Sequence, residues 1–289
     1  MELRRIIYRP GPVARVILNR PEKLNAQNLG LLAEMDWAFN AAVDDPECRV
    51  IVLSGMGRAF SAGHDLSSDD QRADTRERLT GKDPFAQGLM YRDIYTDSHL
   101  RWRDIPKPTI AMVHGQCIYG GWMIAAAMDI VFAAEDAVFI PTYGDYFTTA
   151  WDVGPRKAKE ILFANRFITA AEAMAWGFVN RTFAADALEQ ETLEYAQRVA
   201  EQDASSNRLI KFAINQAEDG MGFTQSVRAV GASFITRSYR HSDDTSAKPT
   251  GRAAGADLNG QFRNKVAQAV EYFRRDQVKA GNPDAGTKD

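Results

Sequence analysis

Two glycine-marked junctions constrain this chain most: Ala59-Phe60-Ser61-Ala62-Gly63-His64-Asp65-Leu66 and His114-Gly115-Gln116-Cys117-Ile118-Tyr119-Gly120-Gly121-Trp122-Met123. Each follows a short apolar run, Val50 to Leu53 and Pro108 to Val113, and each leads into a segment that can be helical. Apolar runs of that length, bounded by turn residues, read as buried strands. Strand, glycine turn and helix in repetition is the rhythm of an α/β domain with a mainly parallel sheet, its ligand crevice at the strands' carboxyl ends. Backbone without bulky side chains at both turns lets amide N–H groups point at a ligand oxygen. Two such donors on one carbonyl have the geometry of an oxyanion hole.

The rest of the chain fits around these units. Leu3 to Tyr8 and Val13 to Asn19 read as a hairpin about Arg9-Pro10-Gly11-Pro12. Leu29, Leu32, Met35, Phe39 and Val43 form a helical stripe that ends at Asp44-Asp45-Pro46. Ile130 to Ala133 and Ala137 to Ile140 supply further strands, and Phe178 to Asn180 another. Ser67 to Pro84 is too polar to pack as core and reads as an insert or lid. Tyr91 to Ile105 looks helical, with Trp102 in the core. After Gly154-Pro155 the pattern changes to amphipathic helices, roughly 156–163, 170–176, 186–201 and 206–219. Two more helices are expected over Met221 to Ser238 and Gln261 to Lys279, separated by a polar linker, His241 to Gly260. The resulting division is a core over residues 1–200, a C-terminal helical oligomerisation region over 201–280 and a flexible tail over 281–289.

With 289 residues, 45% of them hydrophobic, the chain can bury a sizeable core. A formal net charge of -3 gives no global reason to bind nucleic acid or an anionic membrane. No basic segment followed by an apolar one opens the sequence, so a cytoplasmic protein is expected. Cys48 and Cys117 lack the spacing of a zinc site, and they are expected to be reduced and buried.

The two junctions, preceded by Asn19-Arg20-Pro21-Glu22-Lys23-Leu24-Asn25-Ala26, resemble the crotonase (enoyl-CoA hydratase/isomerase) superfamily in order and spacing from about Val13 to Asn180. The resemblance implies a crotonase-like ββα spiral fold of the α/β class with a C-terminal helical region. It also implies an acyl-CoA thioester substrate, no cofactor beyond the coenzyme A that the substrate carries, no metal, and a homotrimer or hexamer. Carried over by position, the oxyanion donors are the amides of His64 and Gly120. Lys23, Leu24, Ala26, Ala62, Leu66, Gly121 and Met123 fall where the family lines the coenzyme A and acyl channel.

The sequence departs from this pattern at the acid and base. Hydratases of the family use two glutamates, and Met123 stands where the first belongs. Near the second, Pro141-Thr142-Tyr143-Gly144 occupies the loop, with Tyr143 the nearest match. Asp145 follows, and its aromatic neighbours Tyr143, Tyr146 and Phe147 would desolvate it and raise its pKa. A solvated turn aspartate is the competing reading. Asp152 is the reserve, with a helix N-cap as its alternative role, and Asp129 reads as a structural group near Gly115. Three functions stay open. One is a hydratase or isomerase with non-standard proton-transfer residues. Another is a hydrolase, isomerase or lyase that uses Asp145 on a bulky acyl group. The third is an acyl-CoA binding protein without catalysis.

Overall fold

The computed structural model describes residues 2–66 and 68–243 together with Glu271. The linker expected from His241 is helical over its first three residues, His241 to Asp243; its remainder and the last helix lie outside the described residues, except that Glu271 is helical, and the tail lies outside them entirely.

The chain opens as a hairpin of β1 (Ile6–Arg9) and β2 (Val13–Leu18), continues through α1 (Leu29–Asp44) and β3 (Val50–Gly55), then through helices α2 (Asp69–Leu79) and α3 (Pro84–Arg92). A π turn (Asp93–Asp97) joins α3 to α4 (Ser98–Arg103). Strand pairs alternate with helices thereafter: β4 (Thr109–Val113), β5 (Gln116–Ile118), α5 (Gly120–Ala126), β6 (Ile130–Ala134) and β7 (Val138–Ile140). Then come α6 (Thr149–Asp152), α7 (Pro155–Ala164), β8 (Ile168–Thr169), α8 (Ala170–Ala175), β9 (Arg181–Phe183), α9 (Leu188–Ala200), α10 (Ala204–Gly220) and α11 (Phe223–Asp243).

Six strands form one sheet in the order β1-β2-β3-β4-β6-β9, and β5-β7-β8 form a smaller one. Only β1 runs against its neighbour in the larger sheet. Each of the pairs β4/β5 and β6/β7 therefore sends its first strand to the large sheet and its second to the small one, which is the ββα spiral. β3 and β4 are apolar almost throughout because helices cover the sheet, and every residue of β4 is buried.

Local chemistry sets the element ends. Asn28 caps α1, its side chain accepting from the Leu31 amide. The polar stretch after Leu66 is helical as α2 rather than an irregular insert, although none of its residues is buried. Its polar side chains do the packing: Asp74 accepts from the Gly30 amide at 3.0 Å and Gln71 from the Leu29 amide at 3.1 Å, which satisfies donors that the first turn of α1 leaves open.

Two expectations are corrected. The strand read at Phe178–Asn180 begins at Arg181, because the Phe178 and Val179 amides both turn back to the Ala173 carbonyl and close α8. Asp129 is not near Gly115. It precedes β6 beside the start of the parallel strand β4, where it accepts from the Thr109 amide at 2.8 Å and pairs with Lys211 at 2.9 Å. Trp102 is buried in the core, as are both free cysteines.

Candidate active site

The three quoted segments meet through backbone hydrogen bonds. Ser61 bridges to Cys117 and Gln27 to His64, each as an isolated parallel pair. In the second pair the Gln27 amide donates to the Gly63 carbonyl at 2.8 Å, and the Asp65 amide donates to the Gln27 carbonyl at 2.9 Å. A parallel bridge uses the groups on either side of the central residue, so the His64 amide faces away from Gln27. It has no hydrogen-bond acceptor among the described residues. The Gly120 amide has none either, since it opens α5 and the Gln116 carbonyl one turn back already accepts from Ser61.

Glycine is required where these segments touch. Gly63 has φ +85°, and a Cβ there would sit 2.6 Å from the Ile118 carbonyl oxygen and 3.0 Å from the Gly120 nitrogen. A Cβ on Gly121 would sit 2.6 Å from the Ser61 carbonyl oxygen. Tyr119, between strand and helix, holds φ +46° and ψ -101°, a strained conformation fixed by its amide bond to the Ile140 carbonyl at 2.8 Å.

The sequence reading missed the polar frame beneath this contact. Buried Arg20 pairs with Asp65 at 3.0 Å and donates to the Ala26 carbonyl. Asp65 also accepts from the Ser68 amide and hydroxyl, so it braces the turn through an ion pair as well as through backbone donors. Asn25, fully buried at φ +53°, donates to the Met56 and Ala59 carbonyls at 2.9 and 2.8 Å and accepts from the Arg20 amide. An Asn that follows a turn in a Pro-Glu-Lys-Leu-Asn stretch was the available signal, because Asn tolerates the left-handed region.

Around this frame, Lys23 and Leu66 are exposed, Ala26 and Ala62 are half-buried, and the Ala62 amide donates to the Leu24 carbonyl at 2.9 Å. These positions are brought to one edge beside the two amides. Met123 is buried as part of α5. Tyr143 is 61% exposed, out at the loop surface, whereas Tyr146 is completely buried. Asp145 is half-buried at φ +50°, and desolvation pushes its pKa up to about 6. Asp152 is likewise raised to about 6 by burial, but its carboxylate accepts from the Trp122 indole at 2.9 Å and the Thr148 hydroxyl at 2.6 Å. It closes α6 and ties α5 down; the N-cap of α7 is Gly154.

The His64 ring packs on Tyr95 at 4.7 Å between centroids, and burial pulls its pKa down to about 4. It is neutral at pH 7, and its Nε2 has no hydrogen-bond partner among the described residues. Gln27 Oε1, Tyr146 Oη and His99 Nε2 share that condition, a concentration of unsatisfied buried polar atoms that ordinary packing avoids. A cavity of about 550 Å³ lies elsewhere, between α10 and the start of β6, and its charged walls are already paired as Lys211 with Asp129 and Arg103 with Glu218. Among the described residues no group of three His, Cys, Asp or Glu is placed to hold a metal, and no helix is long and apolar enough to cross a membrane.

Comparison with known proteins identifies the family and the fold. The sequence pattern of the enoyl-CoA hydratase/isomerase family matches residues 9–244. EchA13 of Mycobacterium tuberculosis, which carries the name enoyl-CoA hydratase, is 39% identical over 236 residues, 74% of this chain and 73% of that protein. A structure from Mycobacterium smegmatis, named a probable enoyl-CoA hydratase, superposes with a TM-score of 0.73 at 38% identity, over 81% of this chain and 94% of the other. An enoyl-CoA hydratase/isomerase from Xanthobacter autotrophicus Py2 gives 0.75 at 29% identity, over 94% and 97%. The chain therefore belongs to the enoyl-CoA hydratase/isomerase family, whose members act on acyl-CoA thioesters.

Proposed function

We propose that this enzyme forms and reprotonates a thioester enolate, with the His64 and Gly120 amides as the oxyanion donors and Asp145 as the proton-transfer group. The observation that carries the reading is the pair of uncommitted amides at the contact between the two junctions. Donors of this kind are worth about 2.7 to 4 kcal/mol each in transition-state stabilisation. Lys23, Leu24, Ala26, Ala62 and Leu66 hold the coenzyme A portion, and Gly121 and Met123 border the acyl group. Tyr143 assists from the mouth of the site.

Met123 makes one wall incapable of proton exchange, which leaves a single carboxyl where two are needed to add water across a double bond. A single group suits isomerisation better: Asp145 removes a proton from Cα of a 3-enoyl thioester, the enolate oxygen is held by the two amides, and the same carboxyl returns the proton at Cγ to give the 2-enoyl thioester. The test is a mass-resolved screen of 2-enoyl-, 3-enoyl- and saturated acyl-CoA esters in D₂O. Deuterium uptake or double-bond migration that Asp145→Asn abolishes is the expected result. Turnover indifferent to Asp145→Asn would overturn the role of Asp145. Binding with no turnover of any ester would make the protein a carrier, the reading that Met123 also favours.

A homotrimer or hexamer is part of the proposal. Leu209, Ile210, Phe212 and Ile214 on α10 are each more than half exposed, and Ile210 and Ile214 border the cavity beside α10. Apolar side chains that the described residues leave exposed on one helix fit a subunit contact. The two buried, free cysteines fit a cytoplasmic location.

A further inference from the structure

The peptide between Tyr119 and Gly120 joins β5 to α5, and its orientation decides where the Gly120 amide points. Two hydrogen bonds hold Tyr119 on either side of its Cα. Its amide donates to the Ile140 carbonyl at 2.8 Å, and its carbonyl accepts from the Met123 amide at 3.2 Å, the first bond of α5. Carbonyl and amide of one trans peptide point in opposite directions, so a Tyr119 carbonyl turned into α5 sends the Gly120 amide out of the helix. It emerges at the contact with Gly63, where a Cβ would lie 3.0 Å from the Gly120 nitrogen and 3.3 Å from Tyr119 Cβ.

The dihedrals that achieve this, φ +46° and ψ -101°, are close to those of the first central residue of a type II′ turn, a place that glycine fills. A bulky residue there is strained, and such strain persists only where the surroundings over-determine it. Here the side chain supplies the anchorage. The Tyr119 ring packs against the small cluster of Ile118, Ile140 and Phe167, which stands apart from the main core. Its hydroxyl donates to Asn165 Oδ1 at 3.2 Å, and Asn165 is the left-handed residue that ends α7.

We infer that Tyr119 is a positioning residue: its anchored ring holds a strained backbone, and that backbone aims the Gly120 amide at the thioester oxygen. The inference rests on the oxyanion role proposed above for Gly120. Glycine at this position adopts the same backbone without strain, whereas alanine keeps the strain and loses the anchor. The two substitutions therefore separate aiming from packing.

Infrared spectroscopy of butyryl-CoA labelled with carbon-13 at its thioester carbonyl tests it, with the ester bound to the wild type, to Tyr119→Ala and to Tyr119→Gly, and with circular dichroism to show folding. Hydrogen bonds from the two amides lower the carbonyl stretch. The expected result is a lowered stretch in the wild type, loss of most of that shift in Tyr119→Ala and its return in Tyr119→Gly. A role in packing alone gives the opposite order, so a shift in Tyr119→Gly no larger than in Tyr119→Ala overturns the inference. A full shift in Tyr119→Ala also overturns it, while the oxyanion role of Gly120 stands. If Tyr119→Ala does not fold, Tyr119→Gly decides: a folded variant with the wild-type shift upholds the inference, and one that lacks the shift or does not fold overturns it. An ester that the wild type fails to bind, or binds with an unshifted carbonyl, defeats the role of Gly120 itself and the inference with it.

Discussion

At the scale of single residues, the site divides into groups that exchange protons and groups that hold shape. In the proposed mechanism Asp145 is the exchange group, and its raised pKa of about 6 places an acid limb on the activity profile. Activity should fall as pH drops below about 6, since the protonated carboxyl cannot accept a proton. Asp145→Asn should lower kcat by roughly 10²- to 10⁴-fold with little change in KM, as steady-state kinetics will report. Asp152 titrates near the same pH but serves structure. Its folded pKa lies above the ordinary aspartate value, so the folded state binds the proton more tightly. Its contribution to stability is complete below about pH 4 and is lost as pH rises through about 6. Asp152→Asn, which can still accept from Trp122 and Thr148, should therefore be more stable than the wild type at pH 8, by on the order of 2 kcal/mol, with the gap closing toward pH 4 in urea denaturation. The raised pKa of Asp145 was legible from its aromatic neighbours in sequence. The role of Asp152 was not, because its partner Trp122 lies thirty residues away and only the fold brings them together.

At the scale of elements, the junctions work because small residues and a buried polar frame let three loops touch. Asn25 is the pin between the Pro21–Lys23 turn and the end of β3. Asn25→Ala leaves two carbonyls and one amide without a partner in the core, at a cost of about 2 to 4 kcal/mol measurable by chemical denaturation. Gly121→Ala meets the Ser61 carbonyl at 2.6 Å and must push α5 away from that segment. A loss of about 1 to 3 kcal/mol is expected, together with loss of activity as the Gly120 amide moves. Strands and long helices were readable from periodicity, since β3, β4 and α1 bury what their patterns say they should. Helix α2 was not, because it contributes no apolar face. Its place is set by Gln71 and Asp74 capping another helix, a long-range polar complement that hydrophobic periodicity does not encode. The break at Asp93–Asp97 was equally hidden, as a π turn leaves no characteristic residue pattern.

At the scale of the whole molecule, α10 presents Leu209, Phe212 and Ile214 to solvent while Lys211 turns inward to Asp129. Light scattering after size exclusion should give a trimer or its multiple, and Phe212→Glu with Ile214→Asp should shift the mass toward the monomer without loss of helix by circular dichroism. A wild type that runs as a monomer would contradict the proposed assembly. The sequence by itself determined the class of fold, the longer strands and the two glycine turns, because buried strands, amphipathic helices and close backbone contacts each impose a local residue pattern; the short strands β5 and β8 were not read. It also set Met123 at the position where the family resemblance leads one to expect a carboxylate, a matter of residue type at one position. Only the tertiary structure decided which strands share a sheet, that the amides of His64 and Gly120 have no acceptor among the described residues, and that Thr96 and Asp145 both lie against Gly231 of α11. Those facts depend on hydrogen bonds and contacts between residues far apart in the chain, where the directions of groups, not their identities, carry the information.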